Sequence, residues 1–159
     1  MRIKARWNKQ AKEQSLEDIA GAVNMICWKI ATNSVLELEN QGCQTHSNHH
    51  RLHIIGEWLT FLVSVADRLV YETLEDEERQ DFILFLAWRM TDTYVDNLRE
   101  VLGPGDYRRA FIDMINQRGR DYSELSFNGG EAGFDFLRYF GEQVATLVTE
   151  KPWVSQQVM

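Results

Sequence analysis

Apolar residues recur three and four residues apart along most of this chain, and almost no proline interrupts them. Among the 159 residues there are two prolines, Pro104 and Pro152. Proline removes a backbone donor and clashes with the preceding turn, so its scarcity favours long helices. Spacings of three and four place apolar side chains on one face of a helix. No stretch alternates convincingly with period two, and we therefore predict an all-α fold without a sheet.

Five helices are predicted from this periodicity and from the residues that flank each segment. Their ranges are 15–40, 48–73, 76–102, a short helix between Asp106 and Gly119, and a last helix from about Glu131 to Lys151. Ser15 is the predicted N-cap of the first helix, and Gly103 with Pro104 ends the third. Short loops join the first three helices, which predicts that they are antiparallel neighbours.

These helices are expected to form one domain with a short segment on each side. Residues 15–151 are predicted to be a single-domain antiparallel helical bundle of about five helices. Residues 1–14 are interpreted as a basic N-terminal arm, and residues 152–159 as a C-terminal tail. A chain of this size can bury roughly 70% of its unfolded surface, so it needs neither a disulfide nor a metal ion to hold a core.

The periodicity also predicts which side chains face the core. The first helix has one apolar stripe, made of Leu16, Ile19, Ala20, Val23, Cys27, Ile30, Ala31, Val35 and Leu38. In the last helix Phe134 and Leu137 are expected to face inward with Phe140 or Gly141, whereas Phe136 and Tyr139 fall off that stripe. Apolar residues left over on a second face indicate contact with another element or subunit. A tail that folds back on its own domain would explain Trp153 equally well.

Charge and segment composition restrict the class of partner. The net charge is −7, which argues against nucleic acid as the main partner because phosphate backbones reward clustered cations. The basic arm around Trp7 keeps nucleic acid or an acidic protein open as an alternative. The longest apolar run, 58–66, is too short to span a bilayer, and residues 1–14 lack the apolar stretch of a signal peptide. We expect a cytoplasmic protein without a membrane segment, in which Cys27 and Cys43 are reduced.

All four histidines of the chain lie in the segment HSNHHRLH, residues 46–53. If a helix begins by Asn48, then His49, His53 and Glu57 share one face at i, i+4 and i+8. Two histidines at i, i+4 can bind one metal ion, and antiparallel packing brings Asp96 of the third helix within reach. The four residues are therefore a candidate metal site. A solvated, histidine-rich first turn explains the same pattern without a metal.

Two charged residues, Asp67 and Arg68, interrupt the apolar face of the second helix. An isolated buried charge is costly, so each must be paired or face water. Under antiparallel packing, Arg89 and Asp92 of the third helix are the expected partners. The alternatives are a plain exposed face, or a polar pocket in which Asp67 acts as a base or ligand.

No catalytic motif, nucleotide-binding loop or activated nucleophile is recognisable, so whether the chain is an enzyme stays open. The cofactor is likewise unassigned. The sequence favours a non-enzymatic helical protein–protein interaction module that self-associates as a homodimer, with its apolar patch expected around the last helix and the tail. The alternative is a metal-binding helical protein that uses His49, His53 and Glu57.

Overall fold

A computed structural model of the chain describes residues 5–43, 45 and 47–149. Within this part the chain forms five helices and one very short hairpin. These are α1 (Ala5–Asn40), α2 (Asn48–Tyr71), α3 (Asp76–Leu102), α4 (Tyr107–Ser123), β1 (Phe127–Asn128), β2 (Glu131–Ala132) and α5 (Phe134–Thr149). The predicted all-α bundle of five helices is confirmed.

The ends of α2 and α3 follow local sequence signals. The Ser47 hydroxyl accepts a hydrogen bond from the backbone N–H of His50 at 3.2 Å and so caps α2. Gly103, with a φ of 84°, ends α3. The predicted start of the first helix at Ser15 is wrong, because α1 begins at Ala5. Residues 5–14 are rich in Ala, Lys, Gln and Arg, which are good helix formers, so nothing locally stops the helix there. Residues 1–4 of the predicted arm and the whole predicted tail, 152–159, lie outside the described residues.

Between the last two helices the structure differs from the prediction in two respects, the end of α4 and the presence of a hairpin. Helix α4 continues past Gly119 to Ser123, since a helical glycine lowers stability without ending a helix. The next residues form an antiparallel hairpin, with Phe127 paired to Ala132 and Asn128 to Glu131. Its two-residue turn is Gly129-Gly130, at φ values of 60° and 77°, as tight hairpin turns require. The prediction of no sheet was therefore wrong. The hairpin gave no signal in the sequence because strands of two residues are too short to show period-two alternation.

Helix α2 lies at the centre of the bundle and packs against all four other helices. Antiparallel packing against α3 is visible at both ends. The Tyr94 hydroxyl donates to the carbonyl of Leu52 at 2.8 Å, and Arg79 pairs with Asp67 at 2.7 Å. Helix α5 also runs antiparallel to α2. The His50 imidazole near the start of α2 contacts the carbonyl of Leu147 near the end of α5. Phe61, further along α2, packs on Phe136 and Phe140 near the start of α5.

The inward face of α5 differs from the predicted one in its first turns, although Phe140 packs inward as expected. Phe136 is fully buried in a second apolar cluster with Phe61 and Tyr122. Phe134 is 77% exposed and Leu137 51% exposed. Both faces of this helix are aromatic, so its periodicity alone is ambiguous. The α2 aromatic residues decide the orientation, because Phe61 packs on Phe136 with ring centroids 5.8 Å apart.

Asp67 and Arg68 are both satisfied, but not by the residues that we predicted. Asp67 pairs with Arg79. Arg68 donates three hydrogen bonds of 2.8–3.0 Å to backbone carbonyls at the end of α4, those of Tyr122, Ser123 and Leu125. The expected partners have other contacts, since Arg89 pairs with Glu17 and Asp92 with Arg108. A cavity of about 780 Å³ with polar and apolar lining borders these groups. The Asp67 carboxylate in its wall is paired with Arg79, so Asp67 is not a free base.

Candidate functional site

The predicted histidine face of α2 forms one wall of a cavity. His49, His53 and Glu57 line a space of about 360 Å³ between α2, α3, α4 and α5. The rest of its lining is mostly apolar and comprises Tyr94, Leu98, Leu102, Tyr107, Ala110, Phe111, Met114 and Leu147. The expected juxtaposition of the start of α2 with the end of α3 is present, since Leu98 and Leu102 face the histidines across the cavity.

Glu57 is buried, and both of its carboxylate oxygens bind an arginine that was not among the predicted site residues. Its carboxylate is 4% exposed and accepts hydrogen bonds from Arg118 of α4 at 2.6 and 3.0 Å. Pairing with Glu57 raises the pKa of the Arg118 guanidinium, so Arg118 stays protonated. This bidentate geometry is the strong form of an arginine–carboxylate contact.

The ion pair continues into a polar network that reaches α5. Arg118 donates to the hydroxyl of Tyr139 at 3.3 Å, and that hydroxyl donates to the carboxylate of Asp121. Burial and the contact with Asp121 raise the pKa of Tyr139 to about 12. A chain of hydrogen bonds thus joins α2, α4 and α5 behind the cavity wall.

Arg118 was detectable from the sequence. It follows Phe111 and Met114 on the inward stripe of α4, at i+7 and i+4. A charged residue on an apolar stripe must find a partner. Glu57 sits in the same way on the apolar face of α2. Both residues therefore signal one buried ion pair, which we did not infer because the sequence does not show that α2 and α4 are neighbours.

The structure brings together three of the four candidate metal ligands. His49 and His53 lie one turn apart, with ring centroids 4.4 Å from each other. Asp96 is exposed on α3 and does not line the cavity. Over residues 5–43, 45 and 47–149, no group of three or more His, Cys, Asp or Glu side chains has the arrangement to hold a metal ion. A cation at Glu57 would have to compete with the Arg118 guanidinium. The metal site stays a prediction.

The environment of His53 differs from that of a solvated histidine. Burial and the neighbouring imidazoles of His49 and His50 hold its pKa below the usual value, and Glu57 acts weakly in the opposite direction. Its ring therefore lacks a proton on one nitrogen near neutral pH, and it can either donate or accept a hydrogen bond.

A second feature is the outer face of α1. This helix packs on α3 and α2 through Leu16, Ala20, Cys27, Ala31 and Val35. Large apolar residues remain outside, namely Ile19, Met25, Ile26, Ile30 and Leu36, with exposures of 40–73%. The predicted stripe of α1 is therefore divided into a buried part and an exposed part. Ile19 and Ile30 were predicted to face inward, and this prediction was wrong. Small residues at the contact let α1 lie close to its neighbours, which leaves the larger flank uncovered.

The same helix is the one described segment with the length and composition of a membrane span. The segment Glu13–Asn40 has 28 residues, and 28% of its apolar window is buried. Both ends are tied to the bundle, by Glu17 with Arg89 at 3.2 Å and by Glu39 with Arg51 at 2.8 Å. Among the described residues, α1 therefore has an apolar surface that the rest of the bundle does not cover.

Comparison with known proteins adds no further constraint on the site. The chain matches no protein-family model, no curated protein and no solved structure.

Proposed function

We propose that this protein is a non-enzymatic helical interaction module that self-associates through the outer face of α1. The observation that carries the proposal is the exposure of Ile19, Ile26 and Ile30, which are 49%, 56% and 40% exposed on one flank of a helix. Contiguous apolar surface of this kind marks interaction sites in soluble proteins. We place the outer face of α1, rather than α5 and the tail, at the interface.

The spacing of the flank favours a second copy of this chain as the partner. Ile19, Val23, Ile26 and Ile30 follow one another at intervals of four, three and four residues. This is the alternation of a coiled-coil seam, and it reads the same in both directions. Two antiparallel copies would therefore place Ile19 opposite Ile30 and Val23 opposite Ile26 across a two-fold axis near Asn24. Closed two-fold dimers are the commonest homo-oligomers.

Charges beside the seam are compatible with this antiparallel pairing. Lys29 and Asp18 are both exposed and lie on the same side of the seam. In the proposed register, Lys29 of one copy comes within one helical turn of Asp18 of the other, on both sides of the axis. Exposed pairs of this kind contribute about 0.2–1 kcal/mol each, so they select the orientation more than they determine affinity.

The compartment remains an expectation, and the structure is compatible with it. Cys27 and Cys43 are free cysteines. Burial raises the pKa of the Cys27 thiol to about 11, so it stays protonated and inert. Unpaired thiols fit a reducing cytoplasm.

The experiment is sedimentation equilibrium of the full chain at several concentrations, comparing wild type with Ile26→Lys. We expect a dimer for wild type and a monomer for the variant, because lysine would place a charge in the seam. The matched control is Phe134→Lys, which puts the same charge on an exposed aromatic residue of α5. It should remain dimeric. A wild type that is monomeric throughout, or dimerisation lost in Phe134→Lys and kept in Ile26→Lys, would contradict the proposal.

Spin labels test the orientation. In a Cys43→Ser background, labels at Met25→Cys should lie near the axis, separated by about the 8–10 Å between helix axes plus the label arms. Labels at Leu36→Cys should lie roughly 35 Å apart along the helices at about 1.5 Å per residue. Equal, short distances at both positions would indicate parallel pairing. If the wild type instead binds phosphatidylcholine vesicles as a monomer, the outer face of α1 would contact a membrane rather than a second copy of the chain.

The metal alternative rests on the close approach of His49 and His53. Native mass spectrometry of untagged protein purified without chelator tests it. One ion per chain, lost on replacing both histidines by alanine, would support a metal protein. An apo mass of two chains would support the interaction module.

A further inference from the structure

We propose that the cavity between α2, α3, α4 and α5 binds a small organic anion, with its apolar body against Leu98, Phe111 and Met114 and its acidic group at His49 and His53. This site is separate from the outer face of α1 and does not depend on self-association. Its size and its distribution of polar groups carry the inference.

The cavity has the dimensions of a ligand site. Its volume of about 360 Å³ lies at the small end of the roughly 300–1,000 Å³ typical of such sites. Four helices contribute to it. Phe111 and Tyr94 are buried residues of its lining, and their tilted rings have centroids 4.3 Å apart. Apolar lining with few polar groups is the usual composition of a small-molecule pocket.

The polar groups deep in the cavity are already occupied. Both oxygens of Glu57 accept from Arg118. The hydroxyl of Tyr94 donates to Leu52 and that of Tyr107 donates to Gly103, both at 2.8 Å. None of these groups needs a ligand partner, so the interior suits an apolar body.

The imidazoles at the mouth differ from the interior groups. His49 and His53 are exposed residues of the cavity wall. Across the described part of the chain, their recorded contact is the edge-to-face approach of one ring to the other, and neither ring has a hydrogen bond to protein. The two imidazoles, one helical turn apart, can therefore each donate an N–H at the edge of the apolar cavity. A carboxylate, sulfonate or phosphate on an apolar chain would fit this site. Its chain would fill the apolar cavity, and its anionic group would accept from the imidazoles in a stronger hydrogen bond than a neutral acceptor makes.

Cation binding is disfavoured by the same geometry. The carboxylate in the wall, Glu57, is neutralised by Arg118 at 2.6 Å. A positive ligand group would meet no free carboxylate among the lining residues. The anionic class is favoured because both imidazoles have an N–H to donate, whereas the one lining carboxylate, that of Glu57, is already paired.

The probe is 1-octanesulfonate, titrated into the full-length protein by calorimetry below its micelle concentration, with 1-octanol as the neutral analogue. We expect one site per chain for the sulfonate, and affinity about tenfold weaker for the alcohol. The double variant His49→Gln/His53→Gln should lose about tenfold in sulfonate affinity and leave the alcohol unchanged.

Two further variants establish the location. Ala110→Trp fills the cavity from an exposed position of α4, so the variant can fold, and it should abolish binding of both probes. Asp113→Trp, on the exposed surface of the same helix, should bind as wild type does. Heat capacity and far-ultraviolet circular dichroism confirm that the variants are folded.

Three outcomes would overturn the assignment. They are the absence of saturable binding to folded wild type, binding that survives Ala110→Trp, and equal affinity for the alcohol and the sulfonate. Ile26→Lys tests whether the sulfonate binds the outer face of α1 instead of the cavity. If this variant abolishes the heat of sulfonate binding, the assignment to the cavity is also overturned.

Discussion

Gly56 shows how one residue controls the approach of two helices. It lies in α2, where glycine costs about 0.8–1.0 kcal/mol relative to alanine. A Cβ at this position would come within 2.7 Å of the Tyr94 hydroxyl. The Tyr94 side chain cannot easily yield, because it is 5% exposed and its hydroxyl donates to Leu52. The helix propensity lost at Gly56 is offset by close packing between α2 and α3.

We predict that Gly56→Ala destabilises the protein by about 1–3 kcal/mol, the usual range for overpacking. Urea denaturation measures the change. The control is Gly141→Ala in α5, where a Cβ meets nothing within 4 Å, and it should stabilise by up to about 1 kcal/mol. Adding Tyr94→Phe to Gly56→Ala should recover part of the loss, since the hydroxyl is the nearest atom. If Gly56→Ala is as stabilising as the control, the close approach does not constrain the helices.

At the scale of elements, α5 shows that periodicity cannot decide which face of a helix is buried when both faces are aromatic. Its sequence FDFLRYF carries aromatic residues on both sides, and periodicity alone favoured the wrong one. The buried side is set by contacts with α2 and α4. Phe136 packs against Phe61 and Tyr122, and Tyr139 hydrogen-bonds with Asp121.

We therefore expect Phe136→Ala and Phe134→Ala to behave very differently. Phe136 is fully buried, and deleting a buried phenylalanine costs about 3–5 kcal/mol. Phe134 is 77% exposed, and its replacement should change stability by no more than about 0.5 kcal/mol. The two variants have the same composition, so the comparison isolates the orientation of α5. Equal losses in thermal or urea unfolding would show that the helix is oriented differently.

At the scale of the whole molecule, the Glu57–Arg118 network ties the later helices to the central one. It links α2 to α4 directly and reaches α5 through Tyr139. An ion pair at this depth is weak evidence for added stability, because removing both charges is often neutral. Breaking it from one side is costly because the remaining charge is buried alone.

Arg118→Met should destabilise the protein by about 3–5 kcal/mol, because it leaves the Glu57 carboxylate buried without a partner. The double variant Glu57→Met/Arg118→Met should lose less. Urea denaturation of the single and double variants measures both changes in stability.

Arg89→Met is the matched control for this experiment. Arg89 pairs with Glu17 at the surface, with side chains 50% and 47% exposed. Loss of an exposed pair changes stability by about 0–1 kcal/mol. A similar small effect for Arg118→Met would show that Glu57 finds water or another partner, and the network would then not act as a link between helices.

The sequence by itself determined the fold class and most helix boundaries. Scarce proline, the three-and-four spacing and the signals at Ser47 and Gly103 are local, and local rules are sufficient to place α2 and α3. The shared face of His49, His53 and Glu57 was also predicted correctly, because it depends on nothing beyond helical geometry.

The tertiary structure decided which apolar faces are buried and which charges meet. Ile19 and Ile30 have the periodicity of core residues, yet small residues such as Ala20 and Ala31 take the contact with α2 and α3. Glu57 meets Arg118 across 61 positions of sequence. Distant pairings depend on how the helices are arranged around α2, and periodicity along a single helix carries no information about that arrangement. The fold class was therefore predictable from the residues, whereas the uncovered flank of α1 and the wall of the cavity were not.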